Sequence, residues 1–158
     1  MNDSIKRGFS FGLTSGVITT LGMIIGLNAS TGSLLAIIGG IVIIALTDAL
    51  SDSFGMHMSE EFSNGEHQKK VWEATFATFF FKLLFALSFV IPFLLFELNT
   101  AIVVCIIYGL LLIGIFSYYI AGLHNLNKGK VILEHLGIAL IVIILTHLVG
   151  TMIRNFFV

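Results

Sequence analysis

Five stretches of this 158-residue chain are apolar enough and long enough to cross a lipid bilayer as helices. About 20 residues, rising 1.5 Å each, span a hydrocarbon core of about 30 Å. Their apolar residues run continuously instead of alternating, which argues against a transmembrane β-barrel. We therefore predict an all-α fold, a five-helix transmembrane bundle that forms a single integral-membrane domain over residues 1–158. The predicted helices cover approximately residues 8–28, 33–58, 73–97, 100–123 and 134–156, with a polar cytoplasmic loop over 59–72.

The composition supports a membrane protein and excludes several other classes. Hydrophobic residues make up 57% of the chain and charged residues 11%, far from the averages of soluble domains. The net charge of -1 offers no basic surface of the kind that binds nucleic acid. The single cysteine, Cys105, rules out an internal disulfide framework.

Basic residues are distributed very unequally between the two sides of the predicted topology. Six of them fall on one side of the five helices, and Arg154 alone falls on the other. Because cytoplasmic loops carry the excess of lysine and arginine, we expect the N-terminus in the cytoplasm and the C-terminus outside. The short form without a cleavable signal suits a prokaryotic plasma membrane. The six residues are Lys6, Arg7, Lys69, Lys70, Lys128 and Lys130.

The end of the second predicted helix carries a polar stripe in an otherwise apolar segment. An isolated charge deep in a bilayer costs several kcal/mol, and two carboxylates on one face repel each other unless a proton, a hydrogen bond or a cation intervenes. Carboxylate oxygens with a thioether beside them suit a late first-row ion such as Fe²⁺ better than Mg²⁺ or Ca²⁺. We therefore expect the stripe to face a partner helix, water or a metal ion. Its residues, spaced four apart along one helix face, are Asp48, Asp52, Met56 and Glu60.

The first predicted helix places hydroxyl groups level with these carboxylates. Counted from the cytoplasmic end of the second helix, Asp52 lies about 9 Å deep and Asp48 about 15 Å deep. On the same count along the first helix, Ser15 lies roughly 10 Å and Thr19 roughly 16 Å deep. Such hydroxyls more often bond to their own helix backbone, but at this depth they are also candidate oxygen ligands. Close approach of the helices there is favoured by Gly12, Gly16 and Gly22.

A lysine in the third predicted helix offers the carboxylates a different partner. Lys82 follows Trp72 by ten residues, which places it about 15 Å deep and level with Asp48. Its stem is too short to reach the membrane surface easily from that depth. An ion pair or gate formed by Lys82 and Asp48 therefore accounts for both charges without a metal, and it leaves Asp52 as the freer carboxylate. From the sequence, the metal path and the internal ion pair both stay open.

Most of the chain resembles the vacuolar iron transporter family. The specific likeness lies in "FGLTSGVITTLGMIIGL" of the first predicted helix and "ALTDALSDSFGMHMSEE" of the second. The later segments "LSFVIPFLL" and "HLGIALIVIILTHLVGTMI" are similar to that family's third and fifth helices. The resemblance implies a homodimer that exports Fe²⁺ or Mn²⁺ from the cytosol by using the proton gradient. It also implies an ion path along the subunit interface, lined by the first two helices.

The chain departs from the family pattern at three places. Ser15 stands where the family has an aspartate that serves the ion path. In the second helix, Asp52 stands in place of a methionine, and Met56 stands in place of an acidic residue. The loop after this helix is too short for the family's cytosolic metal-binding domain. The residues left there as possible metal-capturing ligands are Glu60, Glu61, Glu66 and His67.

Two functions are consistent with these features. The first is a proton-coupled exporter of Fe²⁺ or Mn²⁺ that works as a homodimer in the bilayer and holds no permanent cofactor. In this function Asp48 and Asp52 exchange metal for protons, and Ser15 and Thr19 add oxygen ligands. Met56 selects softer ions, and Glu60 lies at the cytosolic mouth. The alternative is a structural or scaffold membrane subunit of the same fold that does not transport. An enzyme is not expected, because the sequence shows no nucleophile–base constellation or cofactor motif.

Overall fold

The computed structural model describes residues 3–64 and 67–157, and all regular structure within these ranges is helical. Five spans are long and apolar enough to cross a membrane, as in an integral membrane protein. The prediction of an all-α chain with five such spans is therefore confirmed. The helices are α1 (Asp3–Thr31), α2 (Leu34–Asn64), α3 (Gln68–Ser88), α4 (Val90–Leu95), α5 (Leu98–Leu123) and α6 (Lys128–Phe157).

Most of the polar segment 59–72, predicted as a loop, is helical instead. α2 continues to Asn64, and α3 begins at Gln68. Glutamate, glutamine and lysine are good helix formers, so a polar composition marks the end of a membrane span without ending the helix. The connection between the two helices is consequently much shorter than the sequence suggests.

The third predicted helix, 73–97, is divided into α3 and α4 by a turn at Phe89. Pro92 causes the interruption, because proline has no N–H group and its ring clashes with the carbonyl group four residues earlier. The N–H of Phe89 donates to the carbonyl oxygen of Ala86 at 3.2 Å, which closes α3. Together α3 and α4 still form one membrane span, Gln68–Leu95.

Two helix ends are closed by residues with left-handed backbone. Gly32, directly after α1, has φ 59°, a conformation that glycine adopts without strain. Asn125, after α5, has φ 52°, and the N–H of Leu126 donates to the carbonyl oxygen of Ala121 at 2.9 Å. This Schellman-type end turns the chain sharply, so α6 already begins at Lys128 and not at the predicted 134.

The helices divide between two compact units. The first contains α1 as far as Thr20 together with Gly39–Val90, and therefore most of α2 and all of α3. The second contains Leu21–Ile38 and the chain from Ile91 onward, and therefore α5 and α6.

In the first unit, α1 and α3 touch along a row of glycines at every fourth position of α1. A Cβ atom at Gly8 would lie 2.5 Å from the carbonyl oxygen of Ala74, and one at Gly12 would lie 2.9 Å from that of Thr78. Gly16 continues the row one turn further. These distances leave no room for side chains, so the two backbones pack directly and α3 is held against the hydroxyl-bearing part of α1.

The second unit uses the same device between α1 and α6. A Cβ atom at Gly150 would lie 2.4 Å from the carbonyl oxygen of Gly26. One turn later the Arg154 guanidinium donates to the carbonyl oxygens of Asn28, at 3.0 Å, and Ser30, at 3.4 Å. These carbonyls belong to the last turn of α1, where that of Asn28 also accepts from the N–H of Gly32 at 3.0 Å, so the arginine adds further donors that cap the helix.

Candidate functional site

Lys82 of α3 is the centre of a buried polar cluster in the first unit. Its side chain is 1% exposed, although it lies within a span apolar enough to cross the membrane. The ammonium group donates to Ser15 Oγ at 2.8 Å, lies 2.6 Å from Asp48 Oδ2 and also contacts Asp52 Oδ2. The ammonium group therefore has hydrogen-bond acceptors in Ser15 and Asp52 and an ion-pair contact with Asp48.

Hydroxyl groups of α1 complete the Lys82 cluster. Ser15 Oγ accepts from Lys82 and donates to Asp52 Oδ2 at 2.7 Å. Thr19 Oγ1 lies 2.9 Å from Asp48 Oδ2 and 2.9 Å from the carbonyl oxygen of Ser15, so its one hydrogen serves two acceptors. The depth count along the two helices thus pairs the same residues that the structure brings together.

The Lys82 cluster has one more acidic group than basic groups. When all three side chains are ionised, two carboxylates face one ammonium and a single negative charge remains. Asp48 and Asp52 are 25% and 23% exposed, so this charge lies at the open edge of the first unit, whereas the lysine is covered. An unbalanced charge in apolar surroundings is costly, and a cation at that edge would offset it.

The expectation that Asp52 would be the freer carboxylate is wrong. Lys82 contacts Asp52 as well as Asp48, and Ser15 gives Asp52 a further hydrogen bond. The two aspartates lie four residues apart on one helix face, about 6 Å along the axis, so one ammonium placed between them reaches an oxygen of each. The depth count treated the lysine as level with one carboxylate and took no account of this reach.

The other predicted members of the polar stripe follow further along α2. Met56 is partly exposed one turn beyond Asp52. Glu60 is buried and forms an ion pair with Arg7 of α1 at 2.7 Å. The predicted open carboxylate at the cytosolic mouth is therefore engaged with an arginine. Sequence reasoning used Arg7 only to set the topology, although its place at the end of the neighbouring antiparallel helix could have indicated this pair.

Of the predicted capture residues other than Glu60, two lie within the described part of the chain. Glu61 and His67 are exposed on either side of the α2–α3 connection, and Glu66 lies outside the described residues. Over residues 3–64 and 67–157, no three histidine, cysteine, aspartate or glutamate side chains come together in a way that could hold a metal ion. Any metal bound at the Lys82 cluster would therefore take its ligands from Asp48, Asp52 and the hydroxyls beside them.

Comparison of the chain with protein-family models, with curated proteins and with solved structures finds no match. The Lys82 cluster itself joins two carboxylates, two hydroxyls and one ammonium group within a span apolar enough to cross the membrane.

Proposed function

We propose that the chain is a cation transporter in which Asp48 and Asp52 form the ion path and exchange protons for a divalent metal ion such as Fe²⁺ or Mn²⁺. The proposal is supported chiefly by the charge imbalance of the Lys82 cluster, which lies where lipid cannot supply a counter-charge. A cation that approaches the open edge meets carboxylate oxygens before it meets the covered ammonium.

In this proposal Lys82 is a tethered cation that occupies the site between transported ions. The neutral resting state has both carboxylates, the ammonium and one additional proton. Entry of one divalent ion displaces that proton and moves the Lys82 ammonium away from the carboxylates. Electroneutrality in an apolar region therefore favours exchange of protons for the divalent ion.

The exposed edge of the Lys82 cluster also favours packing against a second copy of the chain. α2 exposes large apolar side chains on either side of the two aspartates, among them Leu46, Leu50 and Phe54. Lipid can cover these side chains, but it cannot solvate the carboxylates between them. A twofold packing of α2 against its mate would enclose both clusters along one path, with the N-terminus in the cytoplasm and export outward.

A structural, non-transporting subunit is the second candidate function, and the completeness of the Lys82 contacts favours it. The ammonium group and both carboxylates have partners within a single copy of the chain. Such a cluster could serve only to fix α1, α2 and α3 in register. The two functions differ in whether the lysine ever leaves the carboxylates.

Flux measurements in proteoliposomes distinguish the two functions. Purified protein is reconstituted with a metal-quenched dye and a pH-sensitive dye inside the vesicles, and Fe²⁺ or Mn²⁺ is added under an imposed pH gradient. We expect metal entry with counter-movement of protons, and loss of both signals in the Asp48→Asn, Asp52→Asn double variant. Glu61→Gln is the matched control, because it removes an exposed carboxylate away from the cluster. Absence of flux for every divalent ion, with correctly folded protein, would establish the structural function instead.

A further inference from the structure

We propose a second binding site, in the second unit: a groove between α5 and α6 that holds one acyl chain of an anionic phospholipid, with the headgroup on Lys128. This inference is independent of the proposed transport function, because it concerns other helices and a permanently available surface.

The groove has the length of one membrane leaflet. Its volume is about 530 Å³, and its lining is apolar apart from one tyrosine hydroxyl. Along α5 the lining extends from Ile107 to Tyr118, about 16 Å of helix and half of a hydrocarbon core. Gly114 forms part of this lining, and a Cβ atom there would meet no other atom within 4 Å. The groove is therefore open along its length, and it runs along α5 in the direction that an acyl chain takes in the membrane.

A cation lies at the end of the groove where the two helices join. Lys128 Nζ lies 4.3 Å from the centre of the Tyr118 ring and donates to Tyr118 Oη at 3.2 Å. Tyr118 is itself part of the groove lining, so the ammonium is attached to the groove through this residue. Lys128 is also the first residue of α6, which places it at the end of a membrane span.

The charge of Lys128 is uncompensated within the part of the chain that the structure describes. No carboxylate there lies within 4 Å of its ammonium, whereas Lys130, two residues later, has Glu134 at 3.9 Å. A lysine at a membrane surface attracts anionic headgroups, and the arene beneath its ammonium holds it at the groove mouth. The apolar groove matches the acyl chain of one phospholipid molecule, and the ammonium group of Lys128 matches its anionic headgroup.

The lining and the charge favour an anionic phospholipid over a helix of another chain. An acyl chain needs no hydrogen-bonding partners, and the lining offers it only one hydroxyl group. The lysine at the end of the groove attracts an anionic headgroup. The occupant that fits both the apolar lining and the charge is therefore an anionic phospholipid.

Spin-labelled lipids test the proposal directly. The purified full chain is reconstituted in phosphatidylcholine vesicles, and the association of spin-labelled phosphatidylglycerol is compared with that of spin-labelled phosphatidylcholine by electron paramagnetic resonance. We expect a preference for phosphatidylglycerol that falls about fivefold in Lys128→Gln, the weight of one basic residue near an anionic surface. Lys128→Arg should retain the preference for phosphatidylglycerol. Gly114→Leu should fill part of the groove and lower this preference without any change in charge.

Two controls make the result decisive. Lys130→Gln removes an equal charge two residues away, and Gly137→Leu adds the same side chain at an α6 glycine that is outside the groove lining and has no atom within 4 Å of a Cβ. Both should leave the preference unchanged. An equal loss in Lys130→Gln would show diffuse surface charge in place of a site, and equal association of the two lipids with the unaltered chain would overturn the proposal.

Discussion

Gly16 of α1 and Lys82 of α3 pack backbone against backbone: a Cβ atom at position 16 would lie 3.1 Å from the carbonyl oxygen of Lys82 and 3.3 Å from its Cγ. This contact holds the lysine stem against α1, so that its ammonium reaches the hydroxyl of the adjacent Ser15 and the two carboxylates of α2. The absence of a side chain at Gly16 of α1 thus helps to position the ammonium group of Lys82 on α3.

The glycine row makes a prediction about packing. A Cβ atom at Gly12 would lie 2.9 Å from the carbonyl oxygen of Thr78 and 3.0 Å from the nitrogen of Lys82, both backbone atoms that cannot rotate away. We expect Gly12→Ala to destabilise the protein by about 2 kcal/mol. Gly39→Ala is the control, because a Cβ atom there meets nothing within 4 Å, so the better helix propensity of alanine should be neutral or stabilising. Detergent-titrated unfolding followed by circular dichroism measures both, and equal stability of the two variants would contradict the close contact.

A buried hydroxyl of α1 makes a second prediction. Thr20 is fully buried, and its Oγ1 has no hydrogen-bond partner among the described residues. Thr20→Val keeps the shape and removes the unsatisfied group, so we expect a gain of about 1 kcal/mol in unfolding free energy. Thr78, equally buried, donates to the carbonyl oxygen of Ala74 at 2.9 Å, so Thr78→Val should show no such gain. Thermal unfolding in one detergent compares the two, and equal shifts would contradict the assignment.

The features best predicted from the sequence are those that depend only on distance along a helix axis. The five spans follow from apolar length, and the pairing of Ser15 with Asp52 follows from depth counts on two helices. Both arguments need only the rise per residue and the position of the membrane surface.

The sequence was less informative where the outcome depends on rotation about a helix axis or on side-chain reach. Depth alone cannot tell which face of α3 meets α1, so the dual contact of Lys82 was missed. Hydropathy ends a span at the last apolar residue, whereas the polar end of α2 remains helical to Asn64. The pair of Arg7 with Glu60 was missed for the same reasons, since Arg7 was used only to set the topology and Glu60 was placed at the cytosolic mouth.

The cap on α1 makes a third prediction. Arg154 donates to two carbonyl oxygens of the last turn of α1, where a cation also opposes the negative end of the helix dipole. We expect Arg154→Gln to lower the unfolding free energy by about 1 kcal/mol. Lys130→Gln removes a charge from a long, exposed pair with Glu134 and should change stability by less than about 0.5 kcal/mol. Equal losses of unfolding free energy in the two variants, measured by detergent titration, would show that the loss depends on net charge and not on the cap.

The Lys82 cluster makes the last prediction, which compares the stability of a cluster with unbalanced buried charge with that of a cluster with no charge. Lys82→Met removes the ammonium and leaves two carboxylates facing each other, so we expect a loss of about 3 kcal/mol in unfolding free energy. The triple variant, which adds Asp48→Asn and Asp52→Asn, has no charge left in the cluster and should recover most of that loss, because apolar or neutral replacements of a whole buried ion cluster are well tolerated. Detergent-titrated unfolding compares the two. A triple variant no more stable than the single one would contradict the assignment of that loss to unbalanced charge.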